Sequence, residues 1–382
     1  NLNLTLITRR MQLINAQQEN ILKLLTSLLD QNRARILFPA YQQKPGFWFG
    51  GGNIVRGENG TLWICGRYRD FGDSRTGINA GTRGLELAIF CSQDNGISFN
   101  KVQSWSKADL SYKDRSVVSI EGTSLHQLNN GHWELFLSTE KMGSYPDDLE
   151  DFQKPGTGVW SIDRIAGESP DQLNLDSLAP VLGGMDVPSY LHVKDPVVYD
   201  DVNGNTSMFF CTHPFSWASG NTGFAVRTMD EAPFSLKNWE IVNRGPCWDV
   251  ASTRITCRMQ IPSLGCFKHA STHSIYFYDG AECMNPLDEN EFALKRPRGF
   301  SCEELGGAMI GLDTEFPKME RLSLLEPLFI SPWGTRCSRY VKTLITSSGI
   351  HAIWQQSQID GSQPLVYHFL PMQQVESILS LS

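Results

Sequence analysis

No stretch of the 382 residues approaches the roughly 18 consecutive apolar residues that a membrane-spanning helix needs. Residues 1–20 also lack the apolar core of a secretory leader. Basic residues are in deficit: 33 Lys and Arg stand against 41 Asp and Glu, a net charge of −8. Without clustered cations a chain has little to hold phosphates, so neither nucleic acid nor an anionic membrane is expected as the main partner. The nine cysteines (65, 91, 211, 247, 257, 266, 283, 302 and 337) are scattered singly, with no C-x-x-C pair. That pattern excludes a zinc ribbon and a disulfide framework. It predicts free, mostly buried thiols in a reducing compartment, hence a cytoplasmic protein without a metal or cofactor. WD-type repeats are missing as well, which disfavours a protein-interaction scaffold.

What the chain does have is β texture. Hydrophobic residues make up 41% and charged residues 19%, with 33 glycines and 19 prolines to supply turns. A single long helix is predicted, within residues 9–32. There Ile14, Ile21, Leu25 and Leu28 recur at helical spacing, and Leu22, Leu24 and Leu29 widen the stripe. The stripe predicts packing on the main domain, with homo-oligomerisation through it as the alternative. Residues 1–35 are accordingly read as an N-terminal helical segment and 36–382 as one β domain.

The β domain repeats a unit of strand, polar turn and strand. Ser119 to Glu140 holds two alternating apolar runs joined by Asn129-Asn130-Gly131. His192 to Thr212 copies it around Asn203-Gly204, and Phe47 to Asp70 around Asn59-Gly60. Further copies begin at Ser252 and Ser338, the last one completed by a strand at Ile36–Tyr41 that closes a ring. Residues 167–188 read as a connector, Trp239–Val242 as the fourth strand of the third unit, and Ala281 to Gly307 as an insertion. Five such units predict an all-β fold, a five-bladed β-propeller with an N-terminal helix.

In a propeller the first strand of each blade lines the central channel. Those positions offer Asn53, Glu121, Asp195, Arg254, and Arg339 with Tyr340, while Arg67, Arg69 and Asp70 end the next strand. Carboxylates and arginines converging on one axis are costly unless solvated or paired, so they predict a polar site. The acids in Tyr278-Asp279-Gly280 and in Glu303-Glu304 read as solvated loop charges that could rim it. Trp48, Trp160, Trp217, Trp248 and Trp333 could stack on sugar rings, although core packing is the default for tryptophan.

Ile120-Glu121-Gly122 with Trp133 to Ser138 resembles the segment carrying the general acid in five-bladed glycoside hydrolases of the arabinanase and β-xylosidase group. Lys194-Asp195-Pro196 resembles the Asp-Pro segment that tunes that acid. Ser92-Gln93-Asp94-Asn95-Gly96-Ile97-Ser98-Phe99 resembles the Asp-box turn of sialidases and other propellers. The family's first-blade aspartate has no counterpart near Asn53, and the two matched segments stand in reversed order. The resemblance implies a glycosidase acting on a terminal or small sugar, an anionic one among the options. Glu121 would be its acid, with Asp195 beside it raising its pKa by repulsion. Asp70, or second Asp249, would supply the ionised partner. Arg69, Arg254 and Arg339 could pair with a substrate carboxylate or sulfate. Two alternatives remain: a carbohydrate-binding propeller without catalysis, and a sialidase-like hydrolase using the arginines and Tyr340.

Overall fold

The computed structural model describes residues 15–70, 83–112, 115–153, 156–270, 272–282 and 304–381. Each polar turn read from the sequence reverses the chain through a glycine at positive φ: Gly60 (83°), Gly131 (86°) and Gly204 (77°). The strands they join build five antiparallel sheets, one per unit.

The chain enters through β1 (Arg35–Phe38), which belongs to the last sheet. The first sheet holds β2 (Trp48–Gly50) and β3 (Ile54–Arg56), both paired to β4 (Leu62–Arg69), followed by β5 (Gly84–Ser92) and β6 (Asn100–Ser106). The second runs β7 (Val117–Gln127), β8 (Trp133–Lys141), β9 (Val159–Gly167) and β10 (Leu173–Gly183). The third is β11 (Lys194–Asp200), β12 (Thr206–Thr212), β13 (Asn221–Arg227) and β14 (Ser235–Asn238). The fourth is β15 (Ser252–Gln260), β16 (His273–Ala281), β17 (Leu305–Leu312) and β18 (Glu320–Arg321). The fifth is β19 (Ser338–Thr346), β20 (Gly349–Gln356) and β21 (Leu365–Pro371), completed on its outer edge by β1. Innermost strands neighbour one another round the ring: β3 with β7, β7 with β11, β11 with β15, β15 with β19, and β19 with β3. The chain is a five-bladed β-propeller, closed by pairing its first strand with its last.

Three local readings need correction. Residues 167–188 are not a connector, because they contain β10, the outer strand of the second blade. Its residues are mostly half-buried or exposed, so an edge strand carries little of the apolar alternation that betrays an inner one. The fourth strand of the third blade is β14, just before Trp239–Val242 rather than on it. Phe47–Arg56 is two short strands and not one. The chain breaks at Gly51, whose φ is +75°, and at Gly52, where a Cβ would lie 1.8 Å from the Cys65 carbonyl oxygen.

The N-terminal helix α1 (Asn15–Leu28) lies within the predicted range. Ile21, Leu24, Leu25 and Leu28 are fully buried in one core with Met259, Phe277, Trp354 and Val366 of the fourth and fifth blades. Val375 and Leu379 of the C-terminal helix α2 (Met372–Leu379) join the same core. The stripe is thus occupied inside the chain. Ile14 lies outside the described residues. Among the described residues the seven cysteines form no disulfide, Cys283 and Cys302 lying outside that set.

Candidate active site

The innermost strands share an irregularity. Register slips between Ile120 and Thr123 in β7, between Lys194 and Val197 in β11, between Ile255 and Cys257 in β15, and between Arg339 and Lys342 in β19. Bulges re-aim side chains, and here they recur on four of the five innermost strands. Asp195 and Tyr340 sit in the left-handed region there, with φ of 54° and 55°. Such strain costs about 1–3 kcal/mol per residue and needs surrounding contacts to hold it. The Asp195 N–H donates to Ser138 Oγ at 2.9 Å, and the Tyr340 N–H donates to the Asp279 carboxylate at 3.1 Å.

Glu121 and Asp195 stand on the innermost strands of neighbouring blades, as expected. The Gly122 N–H donates to Asp195 Oδ1 at 2.9 Å, and a Cβ on Gly122 would lie 2.5 Å from that oxygen. Only glycine lets the two strands approach this closely. Arg254 then ties three acids together: Asp195 at 2.8 Å, Asp279 at 3.1 Å and Glu304 at 2.7 Å. Arg339 takes Glu304 at 2.9 Å. Glu121 is held more loosely, by Arg67 at 3.5 Å and Arg69 at 3.9 Å, and accepts the Ser119 hydroxyl at 2.7 Å.

Tyr340 is the hub. Its ring is faced by the guanidinium groups of Arg67 (5.3 Å), Arg254 (4.8 Å) and Arg339 (5.3 Å). Trp48 is half-buried, with Arg69 at 4.6 Å and Arg339 at 4.5 Å from its ring. Of the five tryptophans considered for sugar stacking, Trp48 is in this cluster, whereas Trp248 is core, stacked on Tyr278.

Burial alone would raise the Glu121 pKa, but the charges of Arg67, Arg69 and Lys194 bring it down to about 2. The net shift is downward, opposite to the push expected from Asp195, whose carboxylate pairs with Arg254. Asp279 moves the other way, to about 7: full burial and the nearby Glu304 charge outweigh Arg254. Glu304 is held at about 2 by Arg254 and Arg339 against its own burial.

The remaining candidates lie elsewhere. The Asn53 amide is committed to strand pairing: Nδ2 donates to the Leu125 carbonyl at 2.9 Å and Oδ1 accepts the Leu125 N–H at 2.8 Å. The charge of Asp70 acts on Lys107, which also meets Arg83 and Glu140. Asp249 is fully buried in the fourth blade, accepting from Tyr278 at 2.9 Å and Arg321 at 2.6 Å. Conversely, Asp279 and Glu304 are no loop charges. They are buried central acids; Arg67, read at the end of the next strand, joins them, as does Lys194, a cation that the pattern of strand starts did not single out.

No known family description matches the chain, and no curated protein matches it in sequence. Solved structures do match in fold. An α-L-arabinofuranosidase from Lactobacillus brevis superposes with TM-score 0.54 at 9% identity, over 89% of this chain and 93% of that one. The RS223 β-xylosidase gives 0.51 at 9% identity, over 89% and 95%. The GH43_1 enzyme from Xanthomonas citri complexed with xylotriose gives 0.50 at 11% identity, over 91% and 93%. The fold is that of five-bladed propeller glycoside hydrolases.

Proposed function

We propose that the chain is an O-glycosyl hydrolase acting on a terminal or small sugar that carries an anionic group. The observation that carries this reading is the charge balance at the propeller axis. Arg67, Arg69, Lys194, Arg254, Arg339 and Lys342 face Glu121, Asp195, Asp279 and Glu304, six cations to four acids among the described residues. A chain of net charge −8 thus concentrates positive charge at its propeller axis. A carboxylate or sulfate fits guanidinium forks far better than a neutral hydroxyl does.

In this reading the substrate anion engages Arg67 and Arg69, the loosest pairs of the cluster. That weakens the field holding Glu121 ionised, so Glu121 takes up a proton and delivers it to the leaving glycosidic oxygen. The anomeric C–O bond breaks, water adds its oxygen to the anomeric carbon, and the water proton passes to an ionised carboxylate, Asp195.

The test is a screen of aryl glycosides and acidic oligosaccharides, with Glu121→Gln beside the wild type. Turnover is expected to fall by roughly 10²–10⁴-fold in the variant while binding persists. Near-normal turnover of Glu121→Gln on a verified substrate refutes the assignment. One observation favours the carbohydrate-binding reading: Glu121, Asp195 and Glu304 are all ion-paired, none poised as a free acid. Under that reading calorimetry shows saturable sugar binding, and neither protein turns any substrate over. The Tyr340 alternative has less support, since burial outweighs its arginine neighbours and raises the phenol pKa.

A further inference from the structure

Asp195, Arg254 and Arg339 each stand within the first three residues of an innermost strand. The candidate site therefore lies towards that end of the ring. In the third blade Lys194 pairs with Cys211, and Thr212 with Asn221. Residues 213–220, which join β12 to β13, thus project from the same end. Phe215 stands in this loop, 59% exposed and with φ of 54°. Single exposed aromatics are ordinary, but a bulky residue in the left-handed region is not, and glycine would hold that conformation without strain. The loop is fixed all the same. The Phe215 N–H donates to the Ser189 carbonyl at 2.8 Å, the His213 N–H to the Tyr190 carbonyl at 2.9 Å, and the Trp217 N–H to the Phe152 carbonyl at 2.9 Å. His213 Nδ1 donates to the Trp217 carbonyl at 3.0 Å, and the Ser219 hydroxyl to that of Pro214 at 2.9 Å.

Tyr190 lies beside Phe215, with ring centroids 5.7 Å apart, and stacks on Trp239 at 4.9 Å and 17°. Tyr190 is half-buried and Phe215 exposed, so the two rings form an aromatic ledge open to water over the third blade. The ledge is close to the axis. Tyr190 precedes Asp195 by five residues, so their α-carbons are no more than about 18 Å apart. His213 stands between ledge and cluster: burial first, then the Lys194 and Arg254 charges, hold its pKa well below 6.5. We propose that this ledge is a second carbohydrate subsite, where Phe215 and Tyr190 carry a sugar ring linked to the unit bound at the axis. The apolar face of a sugar ring covers aromatic side chains, and its hydroxyls stay in water at the rim. The ledge rings carry no charge, so the anionic group of the ligand stays with the arginines. The ligand is then an oligosaccharide and not a free monosaccharide. The subsite rests on the reading of the axis as a carbohydrate site, and it serves a hydrolase and a binding propeller alike.

The experiment is calorimetry on the full chain with glucuronate, galacturonate, xylose and arabinose, each alone and as its linear di- and trisaccharide. For the sugar that binds, the trisaccharide is expected to bind more tightly than the monosaccharide. Phe215→Gly should reduce that ratio of affinities by roughly 3–10-fold, the size of one lost aromatic contact. Phe215→Tyr, which keeps a ring, should retain it. The unfolding temperature of Phe215→Gly should not fall, since glycine relieves the left-handed strain, and this separates a lost contact from a damaged fold. A ratio unchanged in Phe215→Gly overturns the subsite and leaves the carbohydrate reading of the axis standing. Binding of no sugar at any length overturns both.

Discussion

Arg254 serves three carboxylates at once, so deleting it strips Asp195 and Asp279 of their ion pair and leaves Glu304 with Arg339 alone. Removing one partner of a buried ion network costs about 3–5 kcal/mol, and urea unfolding of Arg254→Met should show a loss of that size. Arg339→Ala leaves Asp195 and Asp279 paired. If the substrate is anionic, its expected effect is a rise in KM that is larger for acidic than for neutral substrates, read from parallel kinetics. These residues differ in how far sequence reveals them. Glu121 and Asp195 head apolar strands, and Arg254 and Arg339 stand at equivalent strand starts, so the repeat exposes all four. Asp279 and Glu304 flank a long polar insertion, and nothing local distinguishes a buried acid there from a solvated one. Only the ring, by bringing β16 and the start of β17 against β15 and β19, turns them into central groups.

Between the second and third blades lies a second buried network, away from the axis. Glu134 on β8 is fully buried and pairs with Arg227 on β13, with Arg164 at 2.8 Å on β9, and with His126 on β7. His126 also reaches Asp200 of β11 at 3.0 Å. Burial alone would raise the Glu134 pKa from 4.5, but hydrogen bonds from His126 and Arg227 and the Arg227 charge bring it to about 2. A depressed carboxyl stabilises the fold above its unfolded pKa and loses that contribution as pH falls from about 4.5 towards 2. His126 has the opposite sign. Burial lowers its pKa, yet the Asp200 and Glu134 hydrogen bonds raise it above 6.5 overall. Its contribution is complete below 6.5 and is lost as pH rises through the folded value. The seam is therefore strongest between about pH 4.5 and 6.5. Urea titrations across about pH 3–9 should show both flanks, and Glu134→Gln should flatten the acid one. The strands of this seam were legible from alternation and Asn-Gly turns. Its ion pairs were not, because the two arginines that hold Glu134 lie 30 and 93 residues from it in the chain.

Ring closure brings β1 and α1 together with β21 and α2. β1 pairs with β21 from Arg35↔Tyr367 to Phe38↔Leu365, and α1 shares a core with α2 and the last two blades. Truncating Leu25 to alanine should cost about 2–5 kcal/mol, measured by chemical unfolding, as for other fully buried leucines. Deleting residues through Phe38 should do more, since it leaves the fifth blade with three strands and an unpaired edge. The expected signature is a fall in cooperativity and early proteolysis within the fifth blade. Five units, their order and the closing strand could be read from the repeat, because each blade must bury the same alternating faces. The outer strands could not, because an edge half open to water is under weaker apolar constraint. The placement of Trp48 between Arg69 and Arg339 has an optical consequence. Indole emission responds to nearby charge, so a ligand that draws either guanidinium away shifts the fluorescence spectrum on binding. The molecule carries its own unlabelled reporter of occupancy, and Trp48→Phe should silence it while the other nine tryptophans stay unchanged.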